Sequence, residues 1–181
     1  MFTVRKAAAM LVLPLVATGA LTAASGGAAP AAERAPFAHA ASSNLRKFDV
    51  YDFVVFNGHD WSRVKESHAA NIVVYQPDGS ITRGLAAHLK ELESYSVYAP
   101  DARISKHVLS FASGDLTQVS GVFEGTFTRP MPDGKGGFIP PTGKAFSVPI
   151  STAAKWRNGK IVEKHVYLDV RTFLGQIGLA G

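Results

Sequence analysis

The sequence predicts an α+β fold, with three N-terminal helices packed against one face of a strongly bent antiparallel sheet. Three observations lead there. Apolar residues recur at three- and four-residue steps between Leu45 and Val55 and again between Leu85 and Leu92, the spacing of a helix face. Beyond Asp101 the texture changes to alternating, β-branched runs closed by turn signals. Within those runs Gly121 and Gly125 share a face with Val119, Phe123 and Phe127, and glycine inside a strand marks a bulge or a sharp bend.

The elements follow in order. Residues 44–56 carry Leu45, Phe48, Tyr51, Val54 and Val55 on one stripe, with Ser43 as N-cap and Asn57-Gly58 as the stop. Asp60 starts a shorter helix, DWSRVKESH, in which Trp61 and Val64 share a face and His68 stands at the end. NIVVYQ at 71–76 is a strand closed by Pro77-Asp78-Gly79, and SIT returns as a second, short one. The third helix, GLAAHLKELESYSVY, ends before Pro100. RISKHVLSFASG and DLTQVSGVFEGTFT form a hairpin turning at Ser113-Gly114-Asp115. The Pro/Gly-rich stretch 129–144 is a long loop, of a length at which loops serve as lids. AFSVPISTAAKW and the last strand are joined by the Asn158-Gly159 hairpin turn, and a closing helix carries Phe173, Leu174 and Ile177.

Composition bounds the class. The first 24 residues set Arg5 and Lys6 ahead of an apolar run broken by Pro14 and Gly19, the layout of an export signal rather than of a membrane span. Residues 1–40 are therefore expected to be a secretion signal and flexible leader, cleaved after Ala31 or Ala40, with one compact domain over 41–181 and no membrane attachment after cleavage. The chain has no cysteine, which excludes a disulfide framework. Arg5, Lys6 and Arg34 against Glu33 account for +2 of the formal charge of +5, so the rest carries only +3. No run of three basic residues occurs, which argues against nucleic acid as a partner.

The last strand, in GKIVEKHVYLDVRTFLGQIG, is the stretch with the most chemistry. Alternation puts Glu163, His165, Tyr167 and Asp169 on one face and Val162, Val166, Leu168 and Val170 on the other. The polar row is either a solvated face or the wall of a pocket. The apolar row is a candidate dimer surface. His68, His88 and His107 are candidates for pocket-lining proton shuttles, each with a structural reading beside it. No pair such as H-x-H or H-x₃-H brings them together, so no metal is expected. Trp61, Tyr75, Phe123, Phe127, Trp156 and Tyr167 are core aromatics or, if a cavity exists, parts of its wall.

Several fragments carry a resemblance: HAANIVVYQPDGSITRG, APDARISKH, SGDLTQVSGVFEGTFTRPMPDG, PPTGKAF and the terminal D-x₄-L-x-Q-I-G. Over residues 44–179 the chain resembles the SnoaL-like polyketide cyclases, or ester cyclases, of the nuclear-transport-factor-2-like superfamily. The resemblance implies a cone-shaped α+β barrel, its curved sheet wrapping three helices around an apolar cavity. It also implies cofactor-free acid/base chemistry, an aldol-type cyclisation or isomerisation of a small apolar or aromatic carbonyl compound. By motif position Asp169 is the implied acid/base, with His107 and His88 beside it and His68, Tyr75, Phe123, His165 and Tyr167 as ligand contacts. Tyr75 falls near where many members of the wider family carry a histidine. A carboxyl buried in an apolar cone would have the raised pKa that such chemistry needs; alternatively Asp169 caps the closing helix near Thr172 or pairs with Arg103 or Arg171. Export is unusual for enzymes acting on intracellular intermediates, so a secreted, non-catalytic ligand-binding domain stands beside the enzyme reading. A homodimer through the sheet completes the expectations.

Overall fold

The computed structural model describes residues 31–133 and 135–179. The leader up to residue 30, with its export signal, lies outside the described residues. Among the described residues no helix is long and apolar enough to cross a membrane.

Helix α1 spans Ala31–Val50 and runs directly into a wide π-helical turn, Tyr51–Phe56. The expected first helix thus begins earlier than its apolar stripe, because that stripe reports only the part that packs on the core. Phe48, Tyr51 and Val55 of the expected stripe are buried and Phe56 joins them, whereas Val54, also expected on that stripe, is exposed because the π-helical turn departs from the α-helical spacing. A 3₁₀ turn, Trp61–Glu66, stands where the second helix was expected, and only Val64 is buried in it. His68 opens strand β1, His68–Tyr75, instead of ending that helix. Then come β2 (Ile81–Arg83), α2 (Leu85–Tyr98), β3 (Arg103–Ser113) and β4 (Leu116–Thr126). The long loop carries a two-stranded ribbon of its own, β5 (Met131–Pro132) with β6 (Phe138–Ile139). Strands β7 (Ala145–Arg157) and β8 (Lys160–Leu168) and helix α3 (Val170–Gln176) finish the chain.

The six long and short strands form one sheet in the order β2-β1-β8-β7-β4-β3. All neighbours are antiparallel except β1 and β8, which run parallel. Hairpins fix the direction of β3/β4 and β7/β8; β1 and β8 are distant in sequence, so no turn dictates theirs. Both residues of the β7–β8 turn, Asn158 and Gly159, take positive φ (51° and 68°), as a two-residue hairpin requires.

Curvature comes from β4. A Cβ at Gly121 would stand 2.6 Å from the Lys106 carbonyl oxygen, and one at Gly125 would stand 3.0 Å from Ala102 Cα. The β3 register slips on either side of Lys106, between Ile104 and Lys106 and again between His107 and Leu109, which adds to the bend. The helices pack into the concave face. Val119, Phe123, Phe146, Val148, Trp156 and Ile161 from the sheet meet Phe48, Tyr51, Val55 and Leu92 in one core.

The last strand corrects the expected assignment of faces. Its concave-side residues are Ile161, Lys164, Val166 and Leu168, where Ile161 and Lys164 are buried and Val166 and Leu168 pack on the core. Val162 is skipped in the β7–β8 pairing, since Lys155 faces Glu163 while Trp156 faces Ile161. The polar row therefore looks outward, and the row of Val166 and Leu168 is core rather than a dimer surface.

Candidate active site

The concave face and the helices enclose a cavity of about 60 Å³. Such a volume holds on the order of four waters. Phe56, Leu92, Tyr95, Ile104, Val119, Phe123, Ile150 and Val166 form its apolar wall, and Tyr51, Asp52, Gln76, His88, Glu91, His107, Thr152 and Lys164 supply the polar groups.

Asp52 is the residue that sequence reasoning missed. It lies in the π-helical turn, on the flank of the apolar stripe, and is 8% exposed. The His107 ring bridges two carboxylates, with Nε2 2.8 Å from Asp52 Oδ2 and Nδ1 2.9 Å from Asp49 Oδ1. Asp49 is about half exposed, so the ring links a surface carboxylate to a buried one. Burial pushes the Asp52 carboxyl up, although the His107 hydrogen bond and the Lys164 charge act against it. Burial works against the His107 imidazolium as well, but its bonds to Asp52 and then Asp49 outweigh that and raise its pKa. A protonated His107 donates from both nitrogens. The cross-strand partner of His107 is Gly121, and a Cβ there would stand 3.3 Å from the ring, so the glycine gives the imidazole room. The spacing Asp49-x-x-Asp52, two carboxylates one helical turn apart beside apolar stripe positions, was the available signal.

Lys164 faces the same cavity from β8, 5% exposed. Its Nζ donates to Tyr51 Oη at 3.3 Å and lies 4.7 Å from the centre of that ring. Burial lowers its pKa to about 8, opposed by the Asp52 and Glu91 carboxylates. Tyr51 is pushed up by burial and by Asp52, so its hydroxyl keeps its proton. Lysine on a strand reads as a solvated residue, which is why no sequence signal marked it.

His88 belongs to the cavity, as expected. Its Nδ1 is 3.1 Å from Glu91 Oε2, which also accepts from Gln76 at 2.7 Å, while the Thr82 hydroxyl donates to the other oxygen. Burial holds His88 below its usual value despite Glu91. In the neutral tautomer that donates from Nδ1, Nε2 is an acceptor, and it has no partner among the described residues. Phe123 is also cavity wall. His68 lies just outside, its ring 4.5 Å from Tyr51 and 5.5 Å from His88, with Nδ1 2.8 Å from Ser67 Oγ.

The other expected site residues are elsewhere. Asp169 is the exposed N-cap of α3: its oxygens accept from the Thr172 backbone N–H at 2.9 Å and hydroxyl at 2.7 Å. Those bonds hold its carboxyl below the usual range, the opposite of what an acid/base needs near neutrality. The capping alternative is the one observed. Tyr75 stacks on His165 at 4.3 Å, and neither lines the cavity. Tyr167 is 57% exposed on the outward row. Among the described residues no three His, Cys, Asp or Glu side chains form a metal-binding group; Asp49 and Asp52 approach His107 from opposite nitrogens and do not converge.

Comparison with known proteins agrees with this architecture. A family model described as SnoaL-like polyketide cyclase matches residues 48–177. No curated protein matches the chain significantly. Among solved structures, a proposed SnoaL-like polyketide cyclase from Jannaschia sp. CCS1 superposes with a TM-score of 0.66 at 15% identity, covering 78% of this chain and 94% of its own. IdmH, a proposed polyketide cyclase from Streptomyces antibioticus, gives 0.61 at 24% identity over 76% and 97%. A protein of ketosteroid isomerase-like fold from Catenulispora acidiphila gives 0.56 at 17% over 69% and 87%. At these identities the likeness is one of fold. The family match spans most of the domain, supports a cyclase-type function, and shows that the chain belongs to the SnoaL-like polyketide cyclase family.

Proposed function

We propose that the chain is a cofactor-free acid/base catalyst of the cyclase type, acting on a small apolar carbonyl compound by aldol-type ring closure or isomerisation. The reading gives Asp52 and His107 the role expected of Asp169. The observation that carries it is the Asp52–His107 contact of 2.8 Å inside an apolar cavity.

Removing a proton from a carbon beside a carbonyl needs a base whose pKa approaches neutrality. Burial brings Asp52 in that direction, and the His107 bond fixes its orientation. In this scheme the carbon-bound proton passes to Asp52. The enolate oxygen takes a hydrogen bond from the Tyr51 hydroxyl, whose own oxygen accepts from Lys164. The enolate carbon then attacks the second carbonyl, and that oxygen collects the proton back from Asp52. Asp49 keeps His107 charged while the proton is away. The cavity volume of about 60 Å³ suits a small compound or the reacting end of a larger one.

The test is exchange of α-protons for deuterium in a panel of small β-keto esters, followed by NMR. Wild-type protein accelerates exchange and Asp52→Asn does not; equal rates in the two would refute the assignment. Binding of the panel without exchange would favour the second reading, an exported ligand-binding domain, which the leader and the small cavity support. Export is part of the proposal, and N-terminal sequencing of secreted protein should find a start after Ala31 or Ala40. A homodimer through the outward sheet face is proposed from the exposed Phe111, Leu116 and Tyr167. A monomer by sedimentation at micromolar concentration would exclude it.

A further inference from the structure

We propose that Lys164 is a second reactive group of the cavity, an amine that condenses reversibly with an aldehyde or ketone to form an iminium ion at Nζ. The inference rests on the reading that the cavity takes carbonyl compounds, and it adds a covalent mode of holding them.

The position of the amine is the first argument. Lysine is almost never fully buried unless paired, yet Lys164 is 5% exposed and no carboxylate is in ion-pair contact with Nζ among the described residues. Its one hydrogen-bond partner there is Tyr51 Oη, at 3.3 Å. Two of the three N–H positions of an ammonium are thus unused next to open space. A buried lysine serving only as a countercharge would sit against Asp52 or Glu91.

The surroundings are the second argument. Facing Lys164 are Tyr51 and Asp52 from the π-helical turn, His68 from β1, His88 and Glu91 from α2, and His107 from β3. The two carboxylates pull its pKa up, but burial prevails and leaves it at about 8. Near pH 8 about half of this amine is neutral, against well under 1% for an exposed lysine. The difference is about a hundredfold in nucleophile at equal access. Desolvation in an apolar pocket is a recognised way of activating a lysine toward carbonyls.

The step balances without an oxidant or reductant. The neutral Nζ lone pair attacks the carbonyl carbon, and the oxygen takes a proton to give a carbinolamine. The nitrogen gives up one proton, the oxygen receives a second and leaves as water, and the carbon–nitrogen double bond forms. The net change is an ammonium plus a carbonyl giving a protonated imine and water. Asp52 and His107, 2.8 Å apart, provide a donor and an acceptor for these transfers.

Reductive trapping tests the idea. The full chain is incubated near pH 8 with propanal and cyanoborohydride, and propylated lysines are located by peptide mass mapping over time. The expected result is that Lys164 reacts at least about tenfold faster than the exposed Lys155, with the Lys164 rate falling as pH drops below about 8. Lys164 unmodified, or no faster than Lys155, overturns the proposal. Mapping uses the wild-type protein, so the result does not depend on a variant folding. The same preparation is assayed for α-proton exchange: exchange without trapping refutes the imine alone, whereas trapping with no exchange leaves the imine standing and refutes the acid/base scheme.

Discussion

His107 joins a buried carboxylate to an exposed one: Nε2 meets Asp52 and Nδ1 meets Asp49, at 2.8 and 2.9 Å. An imidazole so placed is a donor on both sides, and the state of Asp52 is tied to it. Asp52→Asn keeps the shape and removes the base. It should lower α-proton exchange by about 10²- to 10⁴-fold, the usual weight of a positioned general base. Asp49→Asn lies one step removed and should shift the pH profile of exchange more than its maximum.

Asp169→Ala should have the complementary phenotype. The side chain caps α3 through Thr172 and lies outside the cavity, so exchange should stay within about twofold while thermal stability falls. Asp169→Asn, another good cap, should recover most of the stability. A large loss of exchange in both variants would restore Asp169 to the chemistry.

The contrast between these two aspartates shows what the sequence made legible. Hairpin turns, the third helix and glycine-bent strands were readable because each depends on local rules, such as positive φ at Asn158-Gly159. Strand alternation was readable too, but it separates two faces without saying which one is concave. That is decided by where the helices pack, and it moved Lys164 into the cavity and His165 and Tyr167 out of it. Asp52 was hidden for a similar reason: a carboxylate on a helix flank reads as solvated until β3 brings His107 against it.

His107 should also leave a mark on stability against pH. Its folded pKa is raised, so its contribution is full below the unfolded value of about 6.5 and is lost as pH rises through the folded value. Thermal melts of wild type and His107→Gln should therefore differ most near pH 6 and converge toward pH 9. Asp52 runs the same way from a lower starting point, since a raised carboxyl pKa costs stability as pH rises above about 4. A stability difference that grows between pH 6 and 9 would contradict the assigned contacts.

Gly121→Ala tests how the glycine shapes the site. The added Cβ would lie 2.6 Å from the Lys106 carbonyl oxygen and 3.3 Å from the His107 ring. Backbone on one side cannot yield cheaply, so a loss of about 1–3 kcal/mol is expected, as for overpacking. The ring is the softer neighbour, and its displacement should lengthen the Asp52 contact. Exchange should then fall by more than the loss of folded protein explains, with the imidazole resonances shifted in NMR.

Lys164→Met should make the protein more stable and less capable. The folded pKa of about 8 lies below the ordinary lysine value of 10.5, so the unfolded chain binds more protons between those two values. Wild-type stability consequently rises with pH across that window. Below pH 8 the full cost of burying the ammonium is present, about 3 kcal/mol from a shift of this size, within the range seen when buried charges are replaced by apolar groups. Methionine fills a similar volume without that cost. The variant should therefore melt higher than wild type at pH 7, and the gain should shrink toward pH 10.5. Exchange should drop at the same time, because Tyr51 Oη loses its donor and binds the enolate oxygen less strongly. A variant that melts lower at pH 7 would mean that Lys164 is held by stronger contacts than the single bond to Tyr51.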